Sequence, residues 1–186
     1  MKRLVLFFVA SILALTLCVG VTWGQGARGE TLLRVEVENR GDVWIKLHTK
    51  EAPRTTSRII ELAEQGFYNG QRFFLVAKTP RPFLIRAGDP LSKDPSQLDS
   101  DKMGTGGTGQ KIPFEDSGFS NRTGAVGLAT LANDKNSGDS QFYILLGDHP
   151  FLDGSYTVFG QVVQGMDVVN KVEKGDRIIR ITVVRR

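Results

Sequence analysis

After about residue 30, short apolar stretches alternate with residues that favour turns. Residues 33–38 alternate apolar and charged side chains with period two, which is typical of a strand with one buried face. Residues 40–42 (Arg-Gly-Asp) are a turn signal and residues 43–47 predict a second strand, so together they indicate a hairpin. Six further stretches predict strands: residues 73–77, 83–87, 125–128, 141–145, 156–163 and 178–184.

Two segments predict helices. Pro53 suits the first turn of a helix and Gly66 suits the position just after one, so residues 53–65 predict a helix. Its buried stripe is expected at Ile59, Ile60, Leu62 and Ala63. Residues 166–173 predict a second, shorter helix. Eight short strands with two helices favour a mainly β fold, a closed eight-stranded antiparallel barrel capped by the helices, over a two-sheet sandwich.

The first residues have a different character from the rest of the chain. Residues 4–21 carry no charged side chain and follow a lysine and an arginine, which is the pattern of an export signal. The run is also about long enough to cross a bilayer as a helix, so a membrane tether through residues 4–23 is the alternative. We predict a signal peptide or N-terminal membrane anchor over residues 1–24, called the leader below, and one domain over residues 30–186. The domain is expected to be exported: periplasmic, extracellular or membrane-anchored on the outer side.

Composition excludes several kinds of site. The single cysteine, Cys18, lies in the leader, so the domain can hold neither a disulfide nor a cysteine-bound metal. Only two histidines are present, and we expect no metal and no cofactor. The net charge of +4 falls to +2 without the two basic residues of the leader. Because the remaining charges are spread along the chain, we expect no nucleic-acid partner.

Two patterns that could indicate other enzymes lack their context. Residues 104–109 match the glycine spacing GxGxxG, but a polar loop precedes them and Pro113 follows, where a dinucleotide site needs a strand and then a helix. Ser140, His149 and Asp153 could form a hydrolase triad, yet no nucleophile-elbow sequence surrounds the serine. Neither a nucleotide site nor a hydrolase is predicted.

Five segments occur in the order and spacing of one family. They are GFYNG at 66–70, RAGDP at 86–90, GTGG at 104–107 with FED at 114–116, SQFYI at 140–144, and LDG at 152–154 with VFG at 158–160. Over residues 32–186 the chain resembles the cyclophilin family of peptidyl-prolyl isomerases. The resemblance implies an eight-stranded barrel with two helices, proline-containing polypeptides as partners, and an activity that assists protein folding. We expect a monomer.

Prolyl isomerisation needs few special groups, because its barrier of roughly 18–20 kcal/mol comes from amide resonance. A catalyst needs an apolar pocket for the proline ring and a donor aimed at the prolyl nitrogen, whose lone pair localises as the bond twists. In the family, an arginine in a Phe-His-Arg segment is that donor. The matching segment here is Phe73-Phe74-Leu75, so the arginine position is occupied by Leu75.

The resemblance also implies the residues of the pocket. Phe151 stands where the family has tryptophan, Tyr156 where it has histidine, and Arg86 where it has glutamine. The stretch from Phe74 to Phe83 is about three residues longer than usual. The substrate-binding residues expected on this basis are Leu75, Phe83, Leu84, Gln141, Tyr143, Phe151, Leu152 and Tyr156. Core positions are expected for Phe73, Phe114, Phe142 and Phe159.

Arg86 is a candidate for the missing donor. Side chains alternate along a strand, so Leu84 and Arg86 should share a face, and an arginine beside a pocket-lining leucine reaches the pocket. The alternative is an exposed arginine on the barrel rim that pairs with an acid. The predicted function is therefore an exported peptidyl-prolyl isomerase, of reduced activity because Leu75 cannot donate a hydrogen bond. A catalytically silent proline-peptide binding module, or a holdase, is the alternative.

Overall fold

The computed structural model describes residues 29–186, and the predicted leader lies outside the described residues. The helices are α1 (Pro53–Glu64) and α2 (Met166–Lys171). The strands are β1 (Thr31–Val37), β2 (Gly41–Leu47), β3 (Leu75–Ala77), β4 (Leu84–Ala87), β5 (Ala125–Leu128), β6 (Phe142–Leu145), β7 (Val158–Gln164) and β8 (Ile178–Arg185). Each predicted strand and helix is present, with bounds that differ by at most two residues and that are identical for β5.

The eight strands form one antiparallel, curled sheet in the order β3-β4-β6-β5-β7-β2-β1-β8. The prediction of a closed barrel is not confirmed, because β3 and β8 are edge strands that no ladder joins within residues 29–186. Backbone bonds from outside the strands span this gap: Gly70 N–H donates to the Ile178 carbonyl at 2.8 Å, and Phe73 N–H to the Asp176 carbonyl at 3.0 Å. The three residues of β3 are too few to carry the ladder further.

The opening hairpin shows how the sequence pattern becomes a buried face. β1 pairs with β2 in the register Leu33↔Ile45 and Val35↔Val43, and these four side chains are almost wholly buried. At the turn, Gly41 has a φ of 116°, a conformation that glycine adopts without steric cost. The two-residue alternation thus directs one side of the hairpin into the core.

Helix α1 packs its apolar stripe against the inside of the sheet. Ile59, Leu62 and Ala63 are buried, and Ile60 is half-buried against the same core, as predicted. Ala52 precedes the helix without a side-chain cap. The buried carboxylate of Glu115 caps the helix instead. It accepts hydrogen bonds from the backbone N–H groups of Arg54 at 3.0 Å and Thr55 at 2.8 Å. A loop about sixty residues away along the chain therefore fixes the start of α1.

Two apolar clusters lie on opposite sides of β4. Ile85 is completely buried in the larger cluster inside the curled sheet, whereas Leu84 belongs to a smaller cluster that includes Tyr143 and Leu145. Phe73, Phe142 and Phe159 are buried in the larger cluster, as predicted.

The prediction for Phe114 is wrong, because this side chain is only half-buried. It lies in an irregular segment, and the Lys135 ammonium covers its ring at 4.4 Å from the centroid. Within residues 29–186 no helix is long and apolar enough to cross a membrane.

Candidate functional site

An apolar pocket of about 210 Å³ opens on the outer face of β4, above the smaller apolar cluster. We call it the proline pocket, after the ligand that the sequence resemblance leads us to expect. Its walls bring together seven residues singled out from the sequence and two that were not, Ala129 and Thr130. The seven are Leu75, Phe83, Leu84, Arg86, Tyr143, Leu152 and Tyr156.

Strand pairing places Arg86 in this pocket. Leu84 and Arg86 both line it, whereas Ile85 between them points into the large core, so the expected alternation along β4 is confirmed. The ladders put Leu75 on β3 and Tyr143 on β6 directly opposite Arg86, one on each side. Directly opposed residues of an antiparallel pair project from the same face, so all three side chains meet over one patch of the sheet.

The Arg86 side chain is half-buried and loosely held. Its guanidinium lies 5.6 Å from the centroid of the Phe74 ring, and Nη2 donates a long 3.5 Å bond to the Gly104 carbonyl. Nε is shielded from solvent and has no hydrogen-bond partner within residues 29–186. Burial lowers the pKa of Arg86 from its ordinary value, while Tyr156 and Asp89 act to raise it. The pocket thus contains a guanidinium with unused donors.

The floor of the pocket is the ring of Tyr143. Its hydroxyl donates to Asn121 Oδ1 at 2.6 Å, and its ring meets Tyr156 edge-on with centroids 5.9 Å apart. Burial raises the pKa of Tyr143 above its ordinary value, so the phenol stays protonated. Gly127 lies directly opposite, and a Cβ there would come within 2.1 Å of the tyrosine ring. A glycine is needed at 127 so that the aromatic floor can lie flat on β5.

A hydrogen-bonded chain behind the floor fixes the Tyr143 hydroxyl. Asp153 accepts from the Asn121 backbone N–H at 2.7 Å, from Asn121 Nδ2 at 2.9 Å and from the Ser120 hydroxyl at 2.6 Å. The hydrogen bond from Ser120, above all, holds the pKa of Asp153 below its ordinary value. The carboxylate therefore orients Asn121, and Asn121 orients Tyr143.

Gln141 lies beside the proline pocket rather than in it. It lines an adjoining cavity of about 310 Å³ that shares Arg86, Ala129 and Thr130 with the pocket. Its Nε2 donates to the Gly106 carbonyl at 2.5 Å, and its buried Oε1 has no partner in the described part of the chain. Gln141 thus anchors the glycine-rich loop from the wall of the adjoining cavity.

Two buried carboxylates shape that loop, which spans residues 104–109. Asp89 Oδ2 accepts from the N–H groups of Gly104 at 2.8 Å and Gly106 at 3.0 Å. Asp139 Oδ2 accepts from the Gly109 N–H at 2.8 Å. The amide groups that a phosphate site would use are bound to carboxylates, and the next regular element is the strand β5 rather than a helix. The structure agrees with the rejection of a dinucleotide site.

Phe151, like Gln141, is a predicted pocket residue that lies outside the pocket. Its side chain is 71% exposed and lines a separate groove with Phe83 and His149, while its neighbour Leu152 lines the proline pocket. The short 3₁₀ turn Pro150–Leu152 causes this division, because successive residues of such a turn point in different directions.

The three residues of the rejected triad serve separate interactions. Ser140 donates to the Gly88 carbonyl at 2.8 Å, His149 Nε2 lies 3.1 Å from the Pro82 carbonyl oxygen, and Asp153 holds Asn121. Among residues 29–186, no cluster of three or more histidine, cysteine, aspartate or glutamate side chains could hold a metal ion.

Several supporting residues of the site were not singled out from the sequence. Asp89 and Asp153 stand inside two of the five motif segments, so position in a motif was the available signal. Asn121 stands outside those segments and had no such signal. Its role depends on its packing between β6 and the turn after Leu152.

Comparison with known proteins shows that the chain is similar to one family. Residues 32–184 match the family described as cyclophilin type peptidyl-prolyl cis-trans isomerase/CLD. The "Probable peptidyl-prolyl cis-trans isomerase" of Brucella suis is 34% identical over 194 residues, covering 95% of this chain and 96% of that protein. The peptidyl-prolyl cis-trans isomerase of Helicobacter pylori is 34% identical, covering 75% of this chain and 79% of that protein.

A solved structure shows the same fold. The cyclophilin type peptidyl-prolyl cis-trans isomerase of Cryptosporidium parvum superposes with a TM-score of 0.69 at 23% identity, over 85% of this chain and 99% of that one. A second structure of that protein, obtained in the presence of the dipeptide Ala-Pro, has a TM-score of 0.65.

Proposed function

The chain belongs to the cyclophilin-type peptidyl-prolyl cis-trans isomerase family, and we propose that it isomerises Xaa-Pro bonds of polypeptides with Arg86 as the hydrogen-bond donor. The observation that carries the proposal is the half-buried guanidinium on the wall of an apolar pocket, whose contacts within residues 29–186 are a long 3.5 Å bond to the Gly104 carbonyl and the Phe74 ring. The Ala-Pro dipeptide present with the Cryptosporidium relative supports proline-containing peptides as substrates.

In the proposed mechanism, each part of the pocket has a separate role. Leu84, Tyr143 and Leu152 surround the proline ring with apolar surface and exclude water. As the peptide bond twists, amide resonance is lost and the prolyl nitrogen becomes an acceptor. Arg86 then donates to that nitrogen, an interaction that is stronger in the transition state than in either ground state. Gln141, beside the pocket, holds the glycine-rich loop that borders it through the Gly106 carbonyl.

Arg86→Gln tests the role of the arginine. In this variant kcat/KM for a single Xaa-Pro peptide, measured by NMR exchange spectroscopy, should fall about 10²–10³-fold, as when a transition-state donor is removed elsewhere. Peptide affinity should change much less. Arg180→Ala is the matched control, because Arg180 is an exposed arginine on β8 that pairs with Glu36. Unchanged isomerisation in Arg86→Gln would show that Arg86 is not the donor.

A second function is favoured by one observation. The side chain of Leu75, at the position where the resemblance implies the family's arginine, is 42% exposed on the lining of the pocket and cannot donate a hydrogen bond. A pocket without an effective donor would bind proline peptides and leave their isomerisation rate unchanged, as a holdase or binding module does. Measurable peptide binding without acceleration by the wild-type protein would select this function.

We also propose that the protein acts outside the cytoplasm as a monomer, on exported polypeptides. The charge-free run of residues 4–21 after two basic residues supports export. The alignment with the Brucella relative covers 95% of this chain and therefore includes part of the leader. N-terminal sequencing of the protein from cell fractions tests this: a start near residue 25 indicates cleavage, an intact start in the membrane fraction indicates an anchor, and an intact cytoplasmic protein contradicts export.

A further inference from the structure

The proline pocket adjoins three depressions. The cavity next to the glycine-rich loop shares Arg86, Ala129 and Thr130 with it. The second is a groove of about 330 Å³, here called the aromatic groove, that shares Phe83 with the pocket. Its lining consists of Ala77, Thr79, Pro80, Arg81, Phe83, His149 and Phe151. The third depression shares Thr130 and Tyr156 with the pocket, and polar side chains make up much of its lining. Of the three, the aromatic groove is the one in which aromatic side chains predominate.

The segment 78–82 forms one wall of this groove through Thr79, Pro80 and Arg81. It lies within the stretch from Phe74 to Phe83, which the resemblance makes about three residues longer than usual. It is tied down at both ends. Lys78 Nζ donates to the carbonyls of Asn170 at 2.7 Å and Val172 at 2.6 Å, at the end of α2. The Pro82 carbonyl oxygen lies 3.1 Å from His149 Nε2, and this contact joins the segment to the opposite wall. The groove is therefore built by tertiary contacts on both sides.

Three aromatic rings line the interior of the groove. Phe83 and Phe151 stack at 6.3 Å between centroids with 26° between their planes, and His149 meets both rings nearly edge-on. Phe151 remains 71% exposed, the largest exposure among the large apolar side chains of the described residues. Such an exposed apolar patch beside a peptide pocket marks a binding surface.

We propose that the aromatic groove binds a bulky apolar side chain of the same polypeptide whose proline occupies the proline pocket. The argument is continuity: Phe83 forms the wall between the two depressions, so an extended chain that leaves the pocket on the side away from the glycine-rich loop passes over the groove. Phe83 is thereby a wall of two subsites, and Phe151 a specificity-determining residue. The inference depends on one part of the proposed function, the binding of proline peptides, and does not depend on catalysis.

Arg81 gives the groove a second property. It lies on the lining, and no ion pair or side-chain hydrogen bond of its guanidinium is present among residues 29–186. An acidic residue of the bound peptide, next to that apolar side chain, would lie close to the positive charge of Arg81 at the rim of the groove. The chain therefore favours segments of unfolded polypeptide in which a large apolar residue stands a few positions from proline.

Measuring peptide affinity tests the proposed role of the groove independently of catalysis. Three peptides with a single central proline are compared by NMR titration of the purified protein. One has phenylalanine before the proline and alanine after it, one has alanine before and phenylalanine after, and one has alanine at both places. We expect one of the two phenylalanine peptides to bind about five- to tenfold more tightly than the alanine peptide, as expected for partial burial of an aromatic ring.

Substitution of Phe151 then identifies the subsite. In Phe151→Ser the preferred phenylalanine peptide should bind no better than the alanine peptide, whereas Phe151→Leu should keep most of the preference. The matched control is Val163→Ala, which removes an exposed apolar side chain on β7 outside all three depressions. Because binding is measured directly, these results are obtained even if the protein does not accelerate isomerisation.

Three results would overturn the inference. The first is equal affinity of the wild-type protein for all three peptides. The second is a preference that survives in Phe151→Ser, since the ring would then bind elsewhere. The third is concentration-dependent dimerisation, seen by sedimentation and lost in Phe151→Ser, which would assign the groove to a second copy of the chain.

Discussion

Leu75 and Arg86 lie directly opposite each other on β3 and β4, and both side chains line the proline pocket. The Cβ atoms of such a pair are about 4.5–5.5 Å apart. A long arginine side chain can therefore bring a guanidinium from position 86 to the space that an arginine at position 75 would fill. In the proposed function, the donor at position 86 therefore lies across the ladder from the position at which the resemblance expects it.

Exchanging the two side chains tests whether the positions are equivalent. Arg86→Leu alone should lose about 10²–10³-fold in kcat/KM, and adding Leu75→Arg should restore activity to within about tenfold of wild type. The reason is that the same face receives a guanidinium from the opposite strand. Leu75→Gln in the Arg86→Leu background is the control, because it adds polarity without the charged donor. An exchanged protein as slow as Arg86→Leu would contradict the equivalence.

Gly127→Ala should disturb the floor of the pocket. The added Cβ would come within 2.1 Å of the Tyr143 ring, and relief requires movement of that ring or of β5. We expect a loss of about 1–3 kcal/mol in the free energy of unfolding, measured by urea denaturation. In the Tyr143→Leu background the same substitution should cost much less, because the ring is gone. Equal costs in both backgrounds would mean that another contact is responsible.

Glu115→Gln should destabilise the protein at neutral pH, because a donor replaces one of the two oxygens that cap α1. Thr55 donates both its backbone N–H and its hydroxyl to Glu115 Oε2, so an amide nitrogen there leaves buried groups unpaired. We expect a loss of about 1–3 kcal/mol in the free energy of unfolding. Glu64→Gln is the control, because that carboxylate forms an exposed pair with Arg185.

The effect of Glu115 should also depend on pH. Burial acts to raise the pKa of Glu115, but hydrogen bonds from Thr55 and Arg54 outweigh it and leave the pKa below its ordinary value. A carboxylate with a lowered pKa in the folded state stabilises the protein above its unfolded pKa, and this contribution is lost as pH falls through the folded value. Urea titrations at pH 7 and pH 3 should therefore show a smaller acid-induced loss in Glu115→Gln than in wild type.

Asp89→Ala should loosen the glycine-rich loop and leave the sheet intact. The carboxylate accepts the N–H groups of Gly104, Gly106 and Leu91, all within 3.0 Å. Without it, the amide hydrogens of the two glycines should exchange with solvent at least about tenfold faster, as in other regions that open locally. Asp99→Ala, at an exposed aspartate paired with Lys174, is the control. Unchanged exchange at Gly104 and Gly106 would show that other contacts hold the loop.

Much of the fold could be predicted because its signals are local. The alternation at residues 33–38, the Pro53 and Gly66 boundaries of α1, and the apolar run at residues 125–128 depend only on neighbouring residues. The bounds of β3 were less accurate. Phe73 and Phe74 read as strand, but they bond to residues 176 and 86 as an irregular segment, and the ladder begins at Leu75.

The candidate site was predictable in part. Periodicity put Leu84 and Arg86 on one face, and motif positions indicated Tyr143, Leu152 and Tyr156; these five residues line one pocket. Phe151 was expected in the proline pocket with Leu152, but it lines the aromatic groove instead. The reason is that successive residues of the 3₁₀ turn point in different directions, which their adjacent positions in the sequence do not reveal.

The sequence by itself determined which segments are strands and helices, which face of each is apolar, and to which family the motifs are similar. Only the tertiary structure decided that Arg86 lies opposite Leu75, that Glu115 caps α1, and that Phe151 borders a second groove. The physical reason is that backbone periodicity and turn preference act over a few residues. The register between strands and the direction of a loop side chain are set by packing between segments far apart in the chain.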